Sequence, residues 1–343
     1  MKRSLAWIIL FVCLLGMGIA AAQFRPSPDV GFRFAYVANF GSNSISVIDR
    51  ATNTVVDTIA VGPTPGGVAV THDGKEVWVL AENEVDVIDT ATNAISAKLT
   101  FSYELFPPVQ PNSIVISPDD RRVYVVNDLL DGFGTVSVID RSSHAVLKNI
   151  TVGEFPWSVA VTPNGKRVYV TNSIDGTVSV IDAITLSVTY TTPVIAGQTF
   201  GLAVTPDGKY VYVMGGGVSG NAALVMDTAT NAITTTIPMP SAAWVAMTPN
   251  GRFAYVTDVD YDTVRVINTT TNTVVKTISG ASCTTLGVSI CYPTGVAIGP
   301  FGKYAYATSH GDSVYVIDTS SNAVVDTITV GTAPGGIAIR PLP

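Results

Sequence analysis

Residues 158–182 read SVAVTPNGKRVYVTNSIDGTVSVID, and this stretch decides the fold. Ser158 to Thr162 has the β-branched, small-residue composition of a short strand. Pro163-Asn164-Gly165 follows; proline presets φ and glycine is free to take φ > 0, which is the chemistry of a tight hairpin turn. Lys166 to Asn172 reads as a second strand and Thr177 to Asp182 as a third, with Val178 and Val180 on one side and Ser179 and Ile181 on the other. The Asp182 carboxylate can accept from backbone N–H groups ahead of it and so opens another turn. A fourth strand then runs to about Val194. The unit is a four-stranded antiparallel sheet without a helix.

The unit recurs. Its third strand ends in Val47-Ile48-Asp49, Val87-Ile88-Asp89, Val138-Ile139-Asp140, Val180-Ile181-Asp182, Val225-Met226-Asp227, Val266-Ile267-Asn268 and Val316-Ile317-Asp318. Asp-to-Asp (once Asn) steps are 40, 51, 42, 45, 41 and 50 residues. Periods of this size belong to propellers or solenoids, and four short strands per period select the propeller. Four residues after the Asp stands Asn53, Asn93, Asn231, Asn272 or Asn322, a side chain that tolerates the left-handed conformation; His144 and Leu186 replace it in two copies. The chain ends fix the register. The first complete strand, Phe34 to Asn39, is a second (B) strand, and the last, Gly336 to Arg340, is a first (A) strand. Joining them completes one blade and leaves a closed all-β ring, a seven-bladed β-propeller with four antiparallel strands per blade. Residues 23–343 are expected to form this single domain.

Tyr169-Val170-Thr171-Asn172, with its variants Tyr36-Val37-Ala38-Asn39, Tyr124-Val125-Val126-Asn127 and Tyr255-Val256-Thr257-Asp258, resembles the signature of the YVTN-type β-propeller repeats. The match covers nearly the whole chain after residue 22. More distantly, the chain is similar to lactonase-type seven-bladed propellers, although no catalytic constellation carries over residue by residue. The resemblance implies the fold and a surface or periplasmic setting.

Residues 1–22 read as a signal peptide. Lys2 and Arg3 precede an apolar run from Leu5 to Ile19, and Ala20-Ala21-Ala22 supplies a cleavage pattern before Gln23. A run of this length is short for a bilayer span, and no later segment is long and apolar enough to make one. The expected product is a periplasmic or secreted monomer. Without Lys2 and Arg3 the formal net charge of −7 becomes −9, which argues against nucleic acid or an anionic membrane as partner. Cys283 and Cys291 remain after cleavage and are expected to pair in an oxidising compartment, closing a loop worth about 2.5 kcal/mol.

Function is expected on the face carrying the B–C and D–A loops, which vary in length and include the insertions at 101–111 and 280–293. The loops of this face hold eleven carboxylates: Glu82, Glu84, Glu104, Asp128, Asp131, Glu154, Asp175, Asp258, Asp260, Asp262 and Asp312, with no Lys or Arg in the loops themselves. Aromatic residues interleave with them, and Trp157, Phe200 and Trp244 stand at the starts of A strands, near the channel mouth. The ligand-binding set read from this pattern is Glu104, Asp128, Asp131, Glu154, Trp157, Asp175, Phe200, Trp244 and Asp312. It suits a protein, glycan or cationic partner. Asp258, Asp260 and Asp262 alternate in one loop and could chelate a divalent cation such as calcium, although the EF-hand pattern fails at Thr263 and Thr269. No other cofactor is implied. A non-enzymatic binding scaffold is the leading reading. The alternative is a lactonase-like hydrolase or lyase with a metal or His310, beside Asp312, as general base.

The cysteine pair gives a direct test. Thiol titration of denatured, unreduced protein comprising residues 23–343 should find no free thiol; two free thiols would remove the disulfide.

Overall fold

The computed structural model describes residues 32–100, 110–128, 133–216, 221–279, 293–309 and 311–342. The expected signal peptide, Glu104, Asp131, His310, Cys283 and Cys291 lie outside them. Twenty-eight strands pair into seven antiparallel sheets of four, so the architecture is the expected seven-bladed propeller. Blade 1 takes its B, C and D strands from Phe34–Asn39, Ser44–Asp49 and Thr54–Ala60, and its A strand from Pro334–Ile339. Ala35 pairs with Ile339 and Val37 with Ile337, closing the ring. The A strands of blades 2 to 7 are Val68–Val70, Gln110–Ile116, Pro156–Val161, Gln198–Val204, Ala242–Met247 and Pro293–Ile298. Each touches the A strand of the next blade, so they form the innermost ring.

Strand limits shift from the sequence reading for local reasons. The A strand of blade 4 starts at Pro156 rather than Ser158, because pairing resumes before an irregularity at Trp157. Its D strand, Ser187–Thr191, stops short of Val194. Thr192 still receives the Val178 N–H on its hydroxyl at 2.9 Å, but Pro193 has no N–H to continue the ladder.

The core lies between blades. Tyr124, Val126 and Val138 of blade 3 pack on Val159, Val168 and Ile181 of blade 4, and six further clusters of this kind run round the ring. Both faces of each sheet are covered, which is why B and C strands are buried at nearly every position, their few polar residues included.

Each letter of the Tyr-Val-Thr-Asn signature has a task. Two of the tyrosines bond across to the next blade: Tyr212 donates to Asn272 Oδ1 at 2.5 Å and Tyr255 to Asn322 Oδ1 at 2.6 Å. Those acceptors are the left-handed turn residues, with φ of 52° and 53°. Where the B-strand residue is Trp78, the turn residue of the next blade is His144, edge-on at 5.4 Å. Leu186, also left-handed at φ 52°, packs into the cluster that holds Tyr124 of the preceding blade.

The terminal Asn fastens the B–C hairpin. Asn172 Nδ2 donates to Thr177 Oγ1 and Ser179 Oγ, both at 2.9 Å, and Asn39 and Asn127 repeat the pattern on Ser46 and Ser137. In blade 6 both members of the pair change. Asp258, fully buried, accepts from Arg265 Nε at 2.7 Å, with Arg265 at the serine position. Blade 2 replaces the Asn by Ala81 and places Asp86 at the serine position; Asp86 accepts from Gly62 N and pairs with Lys98 Nζ, each at 2.8 Å.

Burial outweighs the guanidinium at Asp258 and holds its carboxyl above the usual carboxylate range. The ion pair is therefore a costly substitute for Asn–Ser. Arg265→Ser alone, which strands the carboxylate, should lower stability by about 3 kcal/mol. Asp258→Asn with Arg265→Ser should recover to within about 1 kcal/mol of the parent by restoring the neutral pair. Urea unfolding followed by circular dichroism reads both; a double variant no better than the single one would refute the equivalence.

Candidate functional site at the channel mouth

The mouth is shaped by an irregularity repeated in the A strands. Pairing with the B strand slips between Pro156 and Ser158, between Thr199 and Leu202, between Ala242 and Val245, and between Pro293 and Gly295. A bulge takes residues out of the ladder and re-aims them. The residues so released are Trp157 in blade 4, Phe200 and Gly201 in blade 5, Ala243 and Trp244 in blade 6, and Thr294 in blade 7.

The threonine of the signature anchors these bulges. Thr171 Oγ1 accepts from Ser158 N at 3.0 Å and donates to the Phe200 carbonyl of blade 5 at 2.7 Å. Thr257 Oγ1 accepts from Trp244 N at 3.1 Å, and Thr308 Oγ1 donates to the Gly335 carbonyl of blade 1 at 2.7 Å. All three threonines are fully buried. Close approach of blades 5 and 6 needs the glycine at 201, where a Cβ would lie 2.5 Å from the Ala243 carbonyl oxygen.

Rings from three successive blades therefore meet. Trp157 lies 6.2 Å from Phe200 at an interplanar angle of 85° and 6.3 Å from Trp244 at 39°. Phe155 stacks on Trp157 at 5.8 Å. All four are partly buried, and Trp157, Phe200 and Trp244 border a cavity of about 700 Å³. Gln198, Asn221, Ser241, Thr294 and Asp260 give it polar groups. Ser241 Oγ donates to Asp260 Oδ2.

The carboxylates named from sequence are put to different uses. Asp175 Oδ2 accepts from Glu154 N at 2.8 Å, and Asp312 Oδ1 from Ala333 N at 3.0 Å; both tie a D–A loop to its neighbour. Glu154 itself is partly buried. Asp128 is buried, and desolvation raises its carboxyl. Asp258 pairs with Arg265, Asp260 borders the cavity, and Asp262, exposed, occupies a left-handed turn position at φ 51°. Among the described residues no cluster of three or more His, Cys, Asp or Glu side chains is placed to hold a metal.

Counting charges by loop misses cations supplied by strands. Lys98, on a D strand, reaches Glu84 at 2.6 Å as well as Asp86, and Arg265 comes from a C strand. Asp86, Gln198, Asn221 and Ser241 escaped the sequence reading. Asp86 had a visible signal, since it breaks the Ser pattern of its strand position; Asn221 and Ser241 sit in loops and Gln198 at the start of an A strand, with none.

No protein-family model and no curated protein matches the chain. Solved structures do. A functionally unknown protein from Desulfotomaculum acetoxidans is 20% identical, with a TM-score of 0.73 over 91% of this chain and 100% of its own. Kuenenia stuttgartiensis hydrazine synthase is 20% identical, with a TM-score of 0.72 over 84% and 93%. Dihydro-heme d1 dehydrogenase NirN, in complex with DHE, is 13% identical, with a TM-score of 0.65 over 90% and 75%. At these identities the likeness is one of fold. Among the described residues, no helix is long and apolar enough to cross a membrane.

Thr171→Val keeps shape and removes the hydroxyl that links the two bulges. It should cost about 2 kcal/mol and shift the tryptophan emission, because Trp157 and Phe200 lose a common anchor. Thr308→Val, at a bulge without an aromatic residue, should cost as much and leave the emission alone. Emission unchanged in Thr171→Val would contradict the anchoring.

Proposed function

We propose that this chain is an exported, non-enzymatic binding protein whose ligand site is the aromatic cavity at the variable-face mouth of the propeller. The observation that carries the reading is the convergence of Trp157, Phe200 and Trp244 from three blades on one cavity that also holds two amides, two hydroxyls and a carboxylate. Apolar walls with a few convergent polar groups are the usual make-up of a ligand site. A scaffold of fixed strands with partly exposed tryptophans costs little to order on binding. Export follows from the charged, apolar and small-residue segments of the first 22 residues.

The structural neighbours widen the range of ligands to weigh without choosing among them. The DHE complex is a property of NirN. The partner classes that fit this cavity are a protein side chain, a glycan or a cationic solute.

Thermal unfolding of residues 23–343 against panels of amines, sugars, basic peptides and divalent cations tests the reading. A ligand at 100 times its Kd should stabilise the fold by about 2.7 kcal/mol, and Trp157→Ala or Trp244→Ala should abolish the shift while the far-ultraviolet dichroism stays native. A ligand whose shift survives both substitutions would move the site elsewhere. A calcium shift removed by EDTA and by Asp260→Ala would instead support a metal at the mouth.

A further inference from the structure

The charge on the cavity wall narrows the ligand. Its lining, among the described residues, includes one ionisable side chain, Asp260, and no Lys, Arg or His. The two strand cations that reach this face are already engaged, Lys98 with Glu84 and Asp86 and Arg265 with Asp258. Asp260 has a neutral partner, the Ser241 hydroxyl, which satisfies one oxygen without cancelling the charge. An anion entering the cavity would meet this carboxylate with no counter-charge beside it. A cation would complete the pair.

The rings make the same selection by a different route. A cation is drawn to an aromatic face when it lies within about 6 Å of the ring centroid. The Phe200 and Trp244 centroids lie 6.2 and 6.3 Å from that of Trp157, so a charge beside Trp157 can lie within that distance of it and of either neighbouring ring. The planes of Trp157 and Phe200 stand at 85°, and those of Trp157 and Trp244 at 39°. Such walls do not offer a common plane for a flat ring to stack on. They fit a rounded head group with charge spread over alkyl groups. The cavity, at about 700 Å³, is larger than one such head and leaves room for the rest of the molecule.

Resting on the cavity being the ligand site, we infer that it binds an organic cation, an alkylammonium head group held between Trp157, Phe200 and Trp244 and neutralised by Asp260. Gln198 and Asn221 are placed to hydrogen-bond the polar remainder of the ligand.

Tryptophan fluorescence titrations with choline, with its uncharged carbon isostere dimethylbutanol, and with maltose separate the possibilities. Choline should give a saturable change, the isostere should bind at least about tenfold more weakly, and maltose should give none. Asp260→Asn keeps an acceptor for Ser241 and should weaken choline about tenfold without moving the isostere. Trp157→Ala should lose both. Equal affinity for choline and the isostere, tighter binding of maltose, or an indifferent Asp260→Asn would overturn the cation assignment while leaving the cavity as the site. Choline binding undiminished in Trp157→Ala would remove the cavity reading itself, and no response to choline in the parent protein would refute the inference. Co-sedimentation with phosphatidylcholine vesicles then distinguishes a lipid head group from a free amine: choline binding without sedimentation assigns the free solute.

Discussion

A four-stranded sheet with two apolar faces cannot be left with either face bare, and in this chain every face is covered by the next blade. That requirement forces a ring, and a ring is stable only if closed. Closure here depends on the pairing of Pro334–Ile339 with Phe34–Asn39, which places segments about three hundred residues apart in one sheet. Everything at the mouth inherits its position from this. The A strands lie closest to the axis, where blades approach most tightly, and their bulges are fixed by threonines that bond to the neighbouring blade as well as to their own. A side chain on a bulge is thus held by two sheets, and its placement is stiffer than a loop alone would give.

The fold was legible because the repeat states it several times over. A turn residue or a Val-Ile-Asp strand end that is ambiguous once becomes unambiguous at a fixed period. The role of the turn asparagines was only half legible. Their tolerance of positive φ can be read from residue type, but the second task of Asn272 and Asn322, accepting from a buried tyrosine of the preceding blade, joins residues 60 and 67 positions apart. The exceptions carry the clue. His144 stands where the partner is Trp78 rather than Tyr, and Leu186 packs with Tyr124 instead of bonding it. The variation is paired between neighbouring repeats, as expected if the contact and not the turn alone is being maintained.

The site was less legible, for a different physical reason. Trp157, Phe200 and Trp244 could be picked out as A-strand starts, but their convergence depends on bulges, and a bulge is a property of pairing between strands. The acidic rim shows the same limit. Loop composition counted Asp175, Asp258 and Asp312 with Asp260 as one negative field. In the folded chain the first three are occupied by backbone N–H groups or by an arginine from a strand, and Asp260 keeps a neutral donor. Composition gives the charge of a face; hydrogen bonding decides which charges remain available to a ligand.

A sevenfold scaffold gives seven nearly equal positions at its mouth, so a specific site must break the symmetry. The strand position of Trp157 holds Phe200, Ala243 and Thr294 in the next three blades and Gly335 and Gly66 in blades 1 and 2. Among the described residues a Cβ at Gly66 would meet no atom within 4 Å, whereas blades 4 and 5 place rings at this position and blade 6 places Trp244 one residue after it. Among the described residues, this strand position is therefore crowded with rings on one side of the mouth and carries glycine on another. Filling all seven positions with aromatic residues would close the channel, and filling none would leave nothing to hold a ligand. Grouping the large residues on consecutive blades gives a wall in which Trp157 reaches both Phe200 and Trp244. The aromatic cavity thus lies to one side of the ring, and its shape comes from the few places where the repeat departs from itself.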